Sequence, residues 1–283
     1  NRSTISKTRI VAGGRTTVSQ QIVRVDKESK EPMGKAQEQQ LEEYLKQVLP
    51  QVKGVVLSDY GCGTITDKLL GQIFAYCQEH NIPTIVDSRY DILRFKTVDY
   101  IKQNDAELSA AIGRDLATEE ELVQGGCELL VKMSAKGALI TRGEDGMSLF
   151  QIISPQEAAD YLKSQEVSGS GEAGQFREGL TVKLVVKRQT GRLSVVQELI
   201  SYQDRDILVS HIPVTDKSEV YDVSGAGDTC VATVILGLAA GLEPLLACQL
   251  SNEASGIAVR KMGTSVVYAR ELEARFRQLG YEA

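Results

Sequence analysis

A chain of 283 residues with 42% apolar and 25% charged side chains has ordinary globular composition, with enough apolar surface to offset the entropy lost on ordering. Lys and Arg number 32 against 38 Asp and Glu, a formal charge of −6 that argues against a nucleic-acid partner, whose binder needs a basic face. No apolar run approaches the ~18 residues of a membrane span.

In chain order, Val18–Asp26 has a partly alternating strand pattern, and Leu41, Leu45, Val48 and Leu49 share one face of an amphipathic helix over Ala36–Leu49 that Pro50 stops. Val52–Gly61 is a short continuous apolar run ending in Ser-Asp-Tyr-Gly, the pattern of a buried parallel strand with polar residues at its carboxyl end. A helix follows over Asp67–Glu79, then a strand over Ile82–Asp87 and another over Val98–Ile101 that ends near Asn104. Helices are expected over Asp105–Ile112 and Thr118–Ser134. Strands over Ala138–Thr141 and Met147–Ile152 should pair across the Gly143–Gly146 turn. The repeated strand-helix-strand order predicts an α/β fold, a doubly wound and mostly parallel sheet flanked by helices, with ligands at the carboxyl ends of its strands. Ser154–Pro213 reads as an insertion in this single domain of residues 1–283, with a mobile loop over Ser164–Gly179 and a hairpin of Val182–Lys187 and Leu193–Ile200 around Thr190-Gly191.

The sharpest local signal is Asp222-Val223-Ser224-Gly225-Ala226-Gly227-Asp228-Thr229, which opens an apolar helical stretch running to Gly241. Two glycines just before a helix let backbone amides approach a ligand at the positive end of the helix dipole, a socket for phosphoryl oxygens. Asp228 at its mouth can take the proton of an attacking hydroxyl, and phosphoryl transfer needs that combination of positioning, charge stabilisation and one base. A bare glycine-rich turn capped by Asp228, with no ligand, is the alternative that the two glycines alone leave open. The five cysteines, Cys62, Cys77, Cys127, Cys230 and Cys248, form no CxxC pair and lie far in sequence from His80 and His211. That argues against a zinc site or disulfide framework and for scattered thiols in a reducing cytoplasm.

The octapeptide resembles the second signature of the PfkB/ribokinase family of carbohydrate kinases, with Val223 where Thr is usual. The resemblance implies a ribokinase-like fold, an anion hole at Gly225, Ala226 and Gly227, and Asp228 as catalytic base. Asn104-Asp105-Ala106-Glu107 resembles the family's NxxE motif, which implies that Asn104 and Glu107 hold magnesium through water and that the segment touches the nucleotide phosphates. An amide and a carboxylate at that spacing suit a hard cation that keeps its waters. The stretch around Thr141, Gly143 and Gly146 resembles the strand and turn bordering the nucleotide, and Asn252–Thr264 is similar to the adenine-side helix with its closing Gly263-Thr264. A monovalent cation near Asp222 is implied by the same resemblance alone.

Within the family, Thr8–Val11, Gln20–Asp26, Val55–Tyr60, the Thr141–Leu149 stretch and Val220–Thr229 look most like heptose 7-phosphate kinases, often the first half of a bifunctional heptose-activating protein. That comparison puts Arg24 and Asp26 among residues facing the sugar phosphate and Cys62 where those kinases carry Lys, so that Arg89 or Lys35 would have to supply a cation. The other half of such a protein needs an HxGH motif, which two isolated histidines do not make. The family's first strands have no counterpart before Asn1, and the chain begins like something cut from a longer polypeptide. The expected activity is therefore ATP-dependent phosphorylation of a sugar or sugar phosphate, heptose 7-phosphate included, in the cytoplasm, with the homodimer left open. A catalytically impaired nucleotide-binding homologue is the rival. A Rossmann dehydrogenase fails because no GxGxxG follows an early strand.

Overall fold

The computed structural model of the chain describes residues 4–14, 17–168, 171–173, 176–177, 179–190, 193–217 and 220–280. Strands β1 (Ser6–Gly14) and β2 (Thr17–Lys27) pair antiparallel as a ribbon of their own, outside the main sheet. After α1 (Lys35–Val48) come β3 (Val55–Asp59), α2 (Asp67–Glu79), β4 (Thr84–Ser88), β5 (Tyr100–Asn104), α3 (Asp105–Ile112), α4 (Glu119–Met133) and β6 (Gly137–Thr141). The chain continues through β7 (Met147–Ile153), α5 (Pro155–Ser168), β8 (Gly171–Ala173), β9 (Phe176–Arg177), β10 (Leu180–Thr190), β11 (Leu193–Tyr202) and β12 (Arg205–Ile212). It closes with α6 (Ala226–Ala239), α7 (Pro244–Ala258) and α8 (Ala269–Gln278).

The main sheet runs β3-β4-β5-β6-β7-β12-β11-β10-β8, with β9 also paired to β10. Its first four strands are parallel, as expected. From β6 onward every pairing is antiparallel, so the sheet is mixed and "mostly parallel" holds only for the half from β3 to β6. The cause is local: the Gly143–Gly146 turn is too short for a crossover and reverses the chain directly into β7.

Period-two alternation divides the core between two faces. Val86, Ile101, Ala138, Ile140 and Phe150 join side chains of α2, α3 and α4 on one face. Ile85, Leu139 and Leu149, their immediate neighbours in sequence, pack with Cys230, Val231, Val234 and Ile235 of α6 and Cys248 of α7 on the other. Helices thus cover both faces, in an α/β ribokinase-like fold.

Two expectations are corrected. Among the described residues, Ser164–Gly179 is not a loop throughout: α5 runs on to Ser168, and β8 and β9 add to the edge at β10. Nor does the Ser154–Pro213 segment stand apart from the sheet. Its hairpin forms as read, but β12, which the reading omitted, joins β11 to β7 and makes the segment a continuation of the sheet.

Candidate active site

Parallel strands deliver their carboxyl ends to one edge of the sheet. There the register aligns Ser58 of β3 with Asp87 of β4, and Asp87 with Lys102 of β5, in one row. Alternation turns Asp87 and Lys102 toward the face that carries Ile85 and Tyr100, the α6 face. Gly225 has φ +83°, which a side chain would strain, and it ends the approach to α6 so that the helix starts beside this row. Ala226 donates its amide to the Val223 carbonyl. The next amides, of Gly227 and Asp228, lie in the first turn, where a helix offers no carbonyl four residues back.

Two cavities meet at Gly227. One, of about 350 Å³, is lined by Thr141, Gly143, Gly146, Met147, Val214, Val223, Ala226, Gly227, Asn252 and Val259, with Asp216, Lys217 and Arg260 among its polar residues. The other, of about 540 Å³, is lined by Ser58, Asp59, Tyr60, Asp87, Arg89, Tyr90, Lys102, Asn104, Ala106, Glu107, Gly227 and Asp228. A Cβ at Gly227 would come within 3.1 Å of the Lys102 ammonium, which would have to give by a few tenths of an ångström.

Of the residues singled out in the sequence, Thr141, Gly143, Gly146, Asn252 and Ala226 line the first cavity, and Asn104, Ala106, Glu107 and Asp228 the second. Asn104 and Glu107 bond reciprocally as the capping box of α3, the Asn104 side chain accepting from the Glu107 amide at 2.7 Å and Glu107 Oε2 from the Asn104 amide at 2.9 Å. Asp105, whose Oδ1 accepts the Ala106 amide, is outside both linings. Gly263 and Asp222 support the site from outside: Asp222 accepts the Ser224 amide at 2.8 Å and the Gly263 amide at 3.2 Å, tying two loops together. Hydrogen bonds from Ser224 hold the Asp222 carboxyl below its ordinary value.

Arg24 and Asp26 lie in the ribbon, not in either lining. The guanidinium grips Asp26 through two bonds, of 2.8 and 2.9 Å, which lowers the Asp26 carboxyl. From the ribbon, the Lys7 ammonium stands 5.5 Å from the ring centre of Tyr60, which lines the polar cavity. Cys62 is not brought to a cavity either: it is buried, with its thiol 3.4 Å from the Tyr60 carbonyl.

Lys102 was missed. A lysine inside a strand pattern reads as the end of the strand, yet this one is 5% exposed and pairs with Asp87 Oδ2 at 3.0 Å. Burial works against its charge, but the Asp87 carboxylate, with Glu107 behind it, raises Lys102 above its ordinary value. Burial likewise pushes the Asp87 carboxyl up, against the pull of Lys102. Tyr60 is raised by burial first and by the charges of Asp228 and Asp87 next. Among the described residues no group of three or more His, Cys, Asp or Glu side chains could hold a bare metal ion. Four separate carboxylates line one cavity, Asp59, Asp87, Glu107 and Asp228, and instead suit a cation that keeps its waters.

An apolar cavity and a polar one joined at a glycine-lined helix start, on a doubly wound sheet, make an arrangement suited to phosphoryl transfer between two small molecules. Residues 4–167 and 199–269 match the pfkB family of carbohydrate kinases, and the chain belongs to that family. The bifunctional protein HldE of Geobacter metallireducens is 32% identical over 272 residues, 96% of this chain and 44% of that protein. HldE of Hyphomonas neptunium is 32% identical over 280 residues, 99% of this chain and 46% of that one, so the chain spans less than half of these relatives' length. The fold is shared with Escherichia coli phosphofructokinase-2 solved with potassium, at a TM-score of 0.57 and 16% identity, covering 94% of this chain and 68% of that one. It is also shared with Arabidopsis thaliana ribokinase solved with ribose and ATP, at a TM-score of 0.56 and 15% identity, covering 98% and 70%. Among the described residues no helix is long and apolar enough to cross a membrane.

Proposed function

We propose that the chain is an ATP-dependent kinase that phosphorylates a hydroxyl of a sugar or sugar phosphate. The observation that carries the reading is that Gly227 borders both cavities, with Asp228 next to it in the polar one. The nucleotide occupies the apolar cavity, between the Thr141–Met147 turn and α7, and its terminal phosphoryl group meets the amides of Gly227 and Asp228. The sugar occupies the polar cavity. Asp228 takes the proton of the attacking hydroxyl as the new oxygen–phosphorus bond forms and the bond to the departing diphosphate breaks. Lys102, held by Asp87 beside Gly227, offsets the charge on the transferred group.

Magnesium would be held through water by Glu107 and Asn104, with Asp87 facing the same space, and would supply charge neutralisation for the phosphates. For Asp222, whose two oxygens are engaged by amides, the geometry supports loop tying and lends nothing further to a monovalent cation.

A phosphorylated acceptor such as heptose 7-phosphate fits the HldE relatives, and Arg89 at the mouth, over the Tyr90 ring at 5.6 Å, offers the cation that buried Cys62 does not. We read residues 1–283 as one kinase domain, in which the family match leaves out residues 168–198. Five buried cysteines outside any disulfide fit a reducing cytoplasm.

Replacing Asp228 by Asn keeps the shape and removes the base, so turnover should fall by roughly 10² to 10⁴-fold. ATP binding, read by calorimetry, should persist. Near-parental turnover by Asp228→Asn on any sugar that the parent phosphorylates would overturn this mechanism. ATP binding by the parent without turnover on a panel of sugars and sugar phosphates would favour the nucleotide-binding homologue instead.

A further inference from the structure

Helix α8 lends no side chain to either cavity, yet one of its residues reaches the wall of the apolar one. That wall includes Val214, Asp216 and Lys217, from the segment that leaves β12. Thr215, between them, turns the other way. Its hydroxyl donates to Glu253 Oε1 at 2.6 Å and accepts from Arg275 at 2.7 Å, while Arg275 Nε donates to Glu253 Oε2 at 2.7 Å. The three side chains close a ring in which each bond has one donor and one acceptor, and Glu253 is 3% exposed. Arg275 also stands 3.7 Å from Asp216 Oδ2, which Arg260 engages at 2.9 Å. Beside Glu253 on α7, Asn252 donates to the Pro213 carbonyl at 2.8 Å.

The segment is therefore pinned at 213, 215 and 216: Arg275 makes the pin at 215 and backs Arg260 at 216. Buried ion pairs are weak devices for stability, since apolar side chains of similar volume often serve as well. What a guanidinium adds is direction, because its fork fixes several acceptors at once. We infer that Arg275 is a positioning residue for the nucleotide: it holds Val214 and Asp216 in the wall against which the base is seated. This rests on the reading of the apolar cavity as the nucleotide site.

The test is calorimetric titration of the full chain with ATP and magnesium, run beside thermal melts. Arg275→Met should weaken ATP binding by about tenfold, the equivalent of ~1.4 kcal/mol, with an unchanged number of sites. Arg275→Lys, which keeps the charge and loses the fork, should recover part of the loss. A purely structural role would lower the melting temperature and the number of sites while leaving the dissociation constant of the folded fraction at the parental value, and that result overturns the inference. If Arg275→Met does not fold, Thr215→Val decides: it keeps the Glu253–Arg275 pair and removes the hub, and parental affinity in that variant overturns the inference equally. Should the parent itself fail to bind ATP, the reading of the cavity falls and this inference with it. Parental binding that Arg275→Met leaves untouched removes the inference alone.

Discussion

The apolar cavity draws its walls from Met147, Val214, Val223 and Val259, whereas the polar one, across Gly227, is walled by Asp59, Asp87, Lys102, Glu107 and Asp228. The first comes mostly from the segments after β12 and from α7, elements beside the antiparallel half of the sheet. The second comes from the carboxyl ends of β3, β4 and β5, the parallel half. The difference teaches a division of labour. Apolar walls select a partner by shape and cannot move a proton, although Glu144, Asp216, Lys217 and Arg260 also line the first cavity. The charged row can do chemistry, and its side chains need partners of their own to stay ionised where they are. Substitutions on the two sides of Gly227 should accordingly leave different kinetic signatures, affinity for the nucleotide on one side and turnover on the other.

The strongest way to break that division, beyond Asp228, is at Lys102. Lys102→Met should lower kcat by roughly 10²-fold, as loss of one preorganised charge partner does. It should also cost about 1–3 kcal/mol of stability, because it leaves the partly buried Asp87 without its partner. Adding Asp87→Asn should restore much of the melting temperature and none of the turnover. Recovery of turnover in the double variant would mean that Lys102 serves only to neutralise Asp87.

On the apolar side, Val259→Asp sets a carboxylate against the nucleotide and should raise its KM by about tenfold, each ~1.4 kcal/mol counting as a factor of ten. Steady-state kinetics should find kcat within about twofold of the parent, since only a change made in the transition state lowers it. A fall in kcat with an unchanged KM would erase the distinction between the cavities.

The smallest effect is expected at Asp222, which belongs to neither side. Its carboxyl is held below the ordinary value of 3.8, chiefly by the Ser224 amide and hydroxyl, so its contribution is fully present above that value. It is lost as the pH falls through the lower, folded-state value. Asp222→Asn should lower the melting temperature near neutrality by about 1–2 °C and flatten its acid dependence below about pH 4. Melting curves of parent and variant that run parallel through the acid range would remove the loop tie.

Much of this arrangement was legible because local chemistry and tertiary need agree. Thr66 and Asn104 cap α2 and α3, which run over Asp67–Glu79 and Asp105–Ile112 as the apolar spacing predicts. The Gly143–Gly146 turn pairs β6 with β7 as expected. The Asp222–Thr229 peptide could be read because its glycines answer to backbone geometry, which tolerates few alternatives. Reading failed where burial contradicts residue type. Lys102 and Gln103 look like the exit from a strand, but Asp87 satisfies the first, and the Ser88 and Lys102 carbonyls accept from the second, so β5 runs on to Asn104. β12 escaped because its charged start, Arg205-Asp206, sits in a tight reversal with Gln203 and Asp204 at positive φ rather than beside a glycine. Cys62 stands where the resembling kinases carry lysine, and a resemblance says nothing of which way a loop residue turns.

The amides at the start of α6 carry one further consequence. A receptor made of peptide N–H groups belongs to the chain's path and not to any side chain, so no single replacement elsewhere can delete it while the turn at Gly225 keeps its conformation. Arg89, Tyr90 and Ser58 are different, for each can be exchanged without altering that path. On the kinase reading proposed above, changes at the cavity mouth would alter the choice of acceptor while the amides at the start of α6 stay in place.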